Sequence, residues 1–163
     1  MGKEKIEKTN ALRILDSNTI MYQTHAYDAP DGFLDGVSVA AIIGIDKTFV
    51  YKTLVLQGVS KNYYVCVIPV AKELDLKLAA KHFGEKRLDM IPVKDITVVT
   101  GYIKGGCSPV GMKKLFKTAI SRDAQTIDKI TVSAGRVGLQ MTLNVSDLIK
   151  VTRAEFADMT YSQ

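Results

Sequence analysis

Two cysteines, two histidines and four prolines are all that the 163 residues hold of these types. Cys66 and Cys107 cannot build a disulfide framework or a Cys-rich zinc site. With no H-x-x-x-H or C-x-x-C spacing, no metal and no other cofactor is expected. No apolar run approaches the ~18 residues of a membrane helix, so no membrane partner is expected. The first ten residues, MGKEKIEKTN, carry no apolar stretch of the kind a secretory signal needs, so a cytoplasmic location is expected. Internal repeats and low-complexity segments are absent. Acidic residues are missing from one long stretch, Ile96 to Arg122.

What is present suits one domain. Hydrophobic residues make up 47% of the chain and charged residues 24%, which argues against disorder. A flexible end is expected over residues 1–8 and a single domain over 9–163. The net charge is +5, and the acid-free stretch holds Lys104, Lys113, Lys114, Lys117 and Arg122. The other 17 bases balance 17 acids. The excess reads either as a binding surface for an anionic partner, nucleic acid first, or as a solvated basic face.

Periodicity sets out the elements. Ala11, Leu12 and Leu15 predict a helix behind an N-cap at Thr9. A strand over Tyr22–Tyr27 precedes a loop, Asp28–Gly36, with two Asp-Gly turn signals. Val37–Ile43 is apolar nearly all round and reads as a buried helix between Asp35 and Gly44. Tyr51–Gln57 and Tyr63–Pro69 predict a hairpin. Residues 72–83 read as a helix stopped by Gly84. The stretch from Asp95 to Thr100 is ambiguous between strand and a short turn of helix. After the glycine-rich residues 101–111, LFKTAI, KITVS and GLQMTL predict three strands, with Ser133–Arg136 as a tight turn. Asn144 and Asp147 resemble a capping box for a last helix. The pattern predicts an α+β (mixed α/β) single domain, its mixed, mostly antiparallel sheet curled into a half-barrel with flanking helices.

Few residues offer chemistry. Lys52 alternates with Leu54 and Leu56 on one strand face. It either meets an anionic or carbonyl ligand in a pocket, or packs its stem and snorkels its head to water; pattern alone favours the second. Gly105-Gly106-Cys107-Ser108-Pro109 is either a plain turn or a loop whose N–H groups cradle a phosphate or an oxyanion. Cys107 needs a nearby base to act as a nucleophile, and neither His25 nor His82 can be put beside it. His25 reads as structural or pocket-edge, His82 as solvated, and Ser133 as a turn hydroxyl.

The segments FVYKTLVLQG, TGYIKGGCSPVGMKK and SAGRVGLQMTLNVSDLIKVT resemble the YbaK/EbsC family, part of the prolyl-tRNA synthetase-associated editing-domain superfamily. The resemblance runs from about Thr9 to the C-terminus. It implies that superfamily's half-barrel fold and a freestanding, metal-free deacylase that clears Cys-tRNA(Pro), with Cys-tRNA(Cys) as a further substrate. The family lysine falls on Lys52, followed by Thr53, and its Gly-x-x-x-Pro loop on Gly105–Pro109. Its pocket tyrosine falls on Tyr27, and its late serine on Ser133. The implied mechanism is substrate-assisted: the substrate thiol attacks its own ester, and Gly105 and Gly106 stabilise the oxyanion. Lys52 would hold the terminal ribose or phosphate. Thr53, Ser108, Pro109 and Ser133 are then expected to contact substrate. The implied partner is the acceptor end of tRNA(Pro), with Tyr27, Phe33 or Tyr102 stacking on its bases and prolyl-tRNA synthetase as a protein partner. Two departures stand out: Arg136-Val137-Gly138 lacks one family charge, and Cys107 replaces a frequent aliphatic residue. Two other readings stay open, namely water-driven deacylation of Ala-tRNA(Pro) or another small aminoacyl-tRNA, and a non-catalytic tRNA-binding module.

Overall fold

The computed structural model describes residues 8–29 and 34–161. Most of the expected flexible end, Phe33 and the first Asp-Gly turn lie outside the described residues.

Caps fix where the helices begin. In α1 (Asn10–Ser17), Thr9 Oγ1 accepts from Leu12 N at 3.2 Å. The same hydroxyl donates to Ala134 O and so ties the helix start to a later strand. Strand β1 (Tyr22–Ala26) follows. Helix α2 (Gly36–Ile43) starts at Asp35, which accepts from Ser38 N at 2.8 Å, and ends on a left-handed Gly44. The second Asp-Gly pair is therefore a helix start, not a turn. Nor is α2 buried all round. Val39 and Ala40 are buried, but Val37 and Ile42 are 41% and 55% exposed, because the helix lies at the surface and packs along one side only.

Strands β2 (Tyr51–Gly58) and β3 (Tyr63–Pro69) form the expected hairpin. Helix α3 (Leu76–Phe83) begins four residues later than predicted, since Asp75 caps Lys77 and Leu78 while its own N–H bonds Met159 O. Strand β4 (Leu88–Met90) comes next. Residues Ile96–Thr100 resolve as helix α4. A 3-10 turn over Val93–Asp95 feeds into it and Thr100 Oγ1 bonds back to Ile96 O at 2.7 Å, which outweighs the β-branched composition. Strands β5 (Lys117–Ser121), β6 (Lys129–Arg136) and β7 (Leu139–Asn144), helix α5 (Val145–Thr152) and strand β8 (Glu155–Ala157) complete the chain. Ser133–Arg136 is not a turn. It continues β6 through a register shift, with Gly135 at φ 105°. Asn144 caps α5 by position, without a side-chain bond to the backbone.

The strands form two sheets instead of one. One is antiparallel, in the order β1-β7-β6, and the other is mixed, in the order β4-β2-β3-β5-β8. A parallel bridge, Val50–Thr131, joins them. The α+β class matches the expectation, and β4 and β8 are the short strands it lacks.

Alternation assigns the faces of β6 and β7. Ile130, Val132, Ala134, Leu139, Met141 and Leu143 enter the main core with α1 and α5, each large side chain contributing about 1.5–3 kcal/mol of burial. Thr131, Ser133, Gln140 and Thr142 form the opposite, polar face. A second core packs α3 against Leu56, Cys66 and Ile68.

Strand β2 is covered unevenly along one edge. Val50 meets β6 at its start, and Leu56–Gly58 pair with β4 at its end. The last bond to β4's continuation is Ile91 N to Val55 O at 3.2 Å. Pro92 and the 3-10 turn then lead the chain away. Backbone groups of alternate residues point to the same side of a strand. Thr53, two before Val55, therefore directs its N–H and C=O to an edge that no strand covers among the described residues.

Candidate active site

A cavity of about 530 Å³ opens along that uncovered edge. Tyr51–Val55 of β2 form one wall, the first turn of α2 another, and Ile91, Val93 and Ile96 a third. Lys104, Gly105 and Cys107 border it from the glycine-rich loop, and Ser133 and Gln140 from the polar face of β6 and β7. Tyr27 stands at its margin.

Five expected site residues meet here: Tyr27, Lys52, Thr53, Gly105 and Ser133. Lys52 is partly buried and makes no ion pair among the described residues. Among the described residues, Lys52, Lys104 and the carboxylate Asp35 line the cavity. That carboxylate is engaged at the α2 cap, where the Ser38 N–H and hydroxyl hold it below the usual range. Lys52 therefore brings to the lining a positive charge that no ion pair among the described residues neutralises.

Four other expected residues do not line the cavity. Gly106 is buried and donates its N–H to Ile103 O at 3.0 Å, so the expected pair of glycine donors reduces to Gly105. A Cβ at Gly106 would stand 2.8 Å from Arg136 C and Cα and Val137 N. Ser108 is fully buried, its Oγ accepting from Val110 N at 3.2 Å. Pro109 lines a smaller hollow with Met112 and Phe116. Tyr102 is 7% exposed and donates to Val110 O at 2.7 Å. Its ring packs against Gly135, and burial pushes its phenol up to about 12. It braces the loop from behind instead of offering a stacking face.

The turn between β6 and β7 sets the site's geometry. Arg136 and Val137 press on Gly106, and Gly138 O accepts from Tyr27 N at 2.9 Å. Left-handed Gly138, at φ 87°, lets Tyr27 approach that closely.

Among the described residues no activated nucleophile emerges from the cavity. Burial pushes the Cys107 thiol up to about 11, the reverse of what a reactive thiolate needs. His25 does not line the cavity. Its Nε2 lies 2.8 Å from Thr142 Oγ1, and burial lowers its proton affinity. His82 is not solvated as expected: its side chain is 22% exposed, 3.6 Å from Glu155 and edge-on to Phe83. Among the described residues no cluster of three metal-binding side chains occurs.

Pattern reading missed Tyr51 and Gln140. Both line the cavity, and Tyr51 Oη, Thr53 Oγ1 and Gln140 Oε1 are buried without a hydrogen-bond partner among the described residues. The available signal was a glutamine set between Leu139 and Met141. The basic segment also proves dispersed. Lys104 borders the cavity, Lys113 bonds Val98 O at 3.0 Å, and Lys117 and Arg122 flank opposite ends of β5.

Comparison with known proteins adds independent evidence. The family described as "Aminoacyl-tRNA editing domain" matches residues 35–151. EbsC of Enterococcus faecalis, named for a proposed Cys-tRNA(Pro)/Cys-tRNA(Cys) deacylase activity, is 41% identical over 161 residues, covering 98% of each chain. A crystal structure described as a proposed trans-editing enzyme for prolyl tRNA synthetase superposes with a TM-score of 0.81 at 19% identity, covering 96% of this chain and 100% of that one. That of the hypothetical protein APE2540 gives 0.84 at 20% identity, covering 94% and 100%. The two structures share the fold, and the family match and the long identity agree with it: the chain belongs to the aminoacyl-tRNA editing-domain family.

Proposed function

We propose that this protein is a trans-editing deacylase that removes cysteine from Cys-tRNA(Pro), with the substrate's own thiol as nucleophile. The observation that carries this reading is the convergence of Tyr27, Lys52, Thr53, Gly105 and Ser133 on one cavity, with no activated protein nucleophile among the described residues. The cysteine thiol attacks its ester carbonyl, a C–S bond forms, and the bond to the ribose oxygen breaks. The thiol proton passes to that oxygen, releasing tRNA and a cyclic thiolactone. The protein's part is proximity and orientation, worth about 7–11 kcal/mol in favourable cases. Lys52 holds the terminal ribose or phosphate, and Gly105, left-handed at φ 82°, brings main chain to the carbonyl. Tyr27 and Ser133 border the bound ester.

The protein recognises the acceptor end of tRNA, since a cavity of this size takes an aminoacyl group and a terminal nucleoside. Specificity for tRNA(Pro) would then come through a partner, for which prolyl-tRNA synthetase is the candidate. A cytoplasmic location goes with a tRNA substrate. Among the described residues no helix is long and apolar enough to cross a membrane.

The test is deacylation of Cys-, Ser- and Ala-tRNA(Pro) by the purified protein. Thiol attack predicts rapid release from Cys-tRNA(Pro) alone. Equal rates on the cysteinyl and seryl esters would point to water attack, and no acceleration on any substrate would remove the enzymatic reading.

A further inference from the structure

Charge is divided across the cavity mouth. The segment from Tyr27 to Asp46, which supplies the α2 wall, holds Asp28, Asp31, Asp35 and Asp46 and neither lysine nor arginine. Asp28 is exposed beside Tyr27, and Asp35 lines the cavity. The segment from Val93 to Leu115, which supplies the wall around Ile96 and the glycine-rich loop, holds Lys94, Lys104, Lys113 and Lys114 against Asp95 alone. All four lysines are exposed.

The fold sets these segments at different ends of one strand. Helix α2 packs through Ala40 with Val50 and Val70, at the start of β2. Helix α4 packs through Val99 with Val55, and Cys107 and Met112 join the same cluster. Val50 and Val55 are five residues apart on extended chain, about 16–17 Å. Lys113 is fastened to the α4 end: its N–H donates to Thr100 O and its Nζ to Val98 O, both at 3.0 Å. Arg136 joins from the β6–β7 turn, exposed, with its main chain against Gly106. Lys94, Lys113, Lys114 and Arg136 make no ion pair among the described residues.

An acylated nucleoside held in the cavity is covalently joined to a polyanion that must cross the mouth on some side. Passing over α2 would bring phosphates to carboxylates. Passing over α4 brings them to cations, and such a difference in sign fixes orientation even where it adds little affinity. Val98 and Ile103, 71% and 56% exposed, stand beside Lys113 and Lys104, and exposed apolar side chains also mark protein contacts. Covalent continuity with the cavity decides for nucleic acid.

We infer that the acceptor stem leaves the cavity over α4 and the glycine-rich loop, with Lys94, Lys113, Lys114 and Arg136 on its phosphates, and points away from α2. The inference rests on the deacylase reading for what the cavity holds. It gives the complex a polarity, in which the α2 side stays uncovered while tRNA is bound.

The test uses uncharged tRNA(Pro), Cys-tRNA(Pro) and cysteine esterified to adenosine alone, all with the full chain. A double variant, Lys94→Gln with Lys114→Gln, is compared with Lys47→Gln, which removes an exposed lysine just after α2. Melting curves check folding. The double variant should bind uncharged tRNA(Pro) about tenfold more weakly, with a salt slope smaller by about 1.4–1.8 for two lost phosphate contacts. Its KM for Cys-tRNA(Pro) should rise in step, while turnover of the adenosine ester should be unchanged. Lys47→Gln should match wild type on all three. Unchanged affinity and salt slope in the double variant would overturn the inference and leave this face to a protein partner, with the deacylase reading intact as long as Cys-tRNA(Pro) is turned over. Equal losses on the tRNA and the adenosine ester, or an equal loss in Lys47→Gln, would also overturn it. Charge-dependent binding without turnover of either ester would sustain the face and remove the deacylase reading.

Discussion

Replacing Gly106 with alanine should cost stability and activity together, for a reason visible in three contacts. The added Cβ would lie 2.8 Å from Arg136 Cα, Arg136 C and Val137 N. Unstrained carbon contacts fall near 3.5–4.0 Å, so loop and turn must separate by about 0.7–1.2 Å. The obstructing atoms are main chain and cannot swing away as a side-chain tip would. Overpacking of this kind costs about 1–3 kcal/mol. For a domain of this size that is about 2–4 °C of melting temperature per kcal/mol, or about 2–12 °C in all. The displacement also carries Gly105 off the cavity rim, and a 1 Å misplacement can cost about 100-fold in rate. Gly84→Ala is the control. Gly84 has φ 74° with nothing within 4 Å of the added Cβ, and it does not line the cavity. Its penalty is backbone strain alone, about 1–2 kcal/mol. Melting by circular dichroism and single-turnover deacylation of Cys-tRNA(Pro) separate the two. Gly84→Ala should lose melting temperature and keep its rate, whereas Gly106→Ala should lose both. A Gly106→Ala protein with wild-type melting and rate would refute the view that the β6–β7 turn holds the loop.

Four further outcomes are expected. Lys52→Ala should reduce deacylation at least 100-fold while shifting the melting temperature by less than about 2 °C, since no ion pair among the described residues is lost; full activity would remove its assigned role. Cys107 should resist iodoacetamide at pH 7 and react faster as pH approaches its value of about 11, and rapid labelling at neutral pH would contradict that burial. Gly36→Ala should dislodge α2, because its Cβ would lie 2.3 Å from Val70 Cγ1; Val70→Ala should recover part of the loss, measured by chemical denaturation. His25 is depressed by burial, so the unfolded chain holds its proton more tightly. Its contribution to stability is complete above the ordinary histidine value near ~6.5 and declines as pH falls through that value toward the folded one. His25→Gln should flatten this decline between about pH 7 and 5, and an unchanged slope would argue against it.

The parts of this fold governed by local chemistry were legible from the sequence. Thr9, Asp35 and Gly44 act as caps because capping depends on the nearest few residues. The Tyr51–Pro69 hairpin follows from strand composition around a short loop. What escaped depends on distant partners. The three-residue strands β4 and β8 carry no periodicity and exist only because β2 and β5 offer edges. Val37–Ile43 has the composition of a buried helix but lies at the surface, where one face is enough. The site divided the same way. Lys52 and Gly105 could be singled out by residue type, but Tyr51 reads as an ordinary strand aromatic until β6 is laid beside it. Ser108, Pro109 and Tyr102 share a segment with Gly105, yet the loop folds them inward, since a chain segment this irregular needs its own small core.

The uncovered stretch of β2 around Thr53 bears on how this protein can change over time. Main-chain N–H and C=O groups are the same whatever side chain they carry. Those groups survive substitution at the position, so drift in neighbouring side chains can reshape the cavity while the main-chain edge stays the same. The same edge is a strand-shaped template. An extended peptide able to lie along it would pair with the main chain of β2 and fill the cavity beside it.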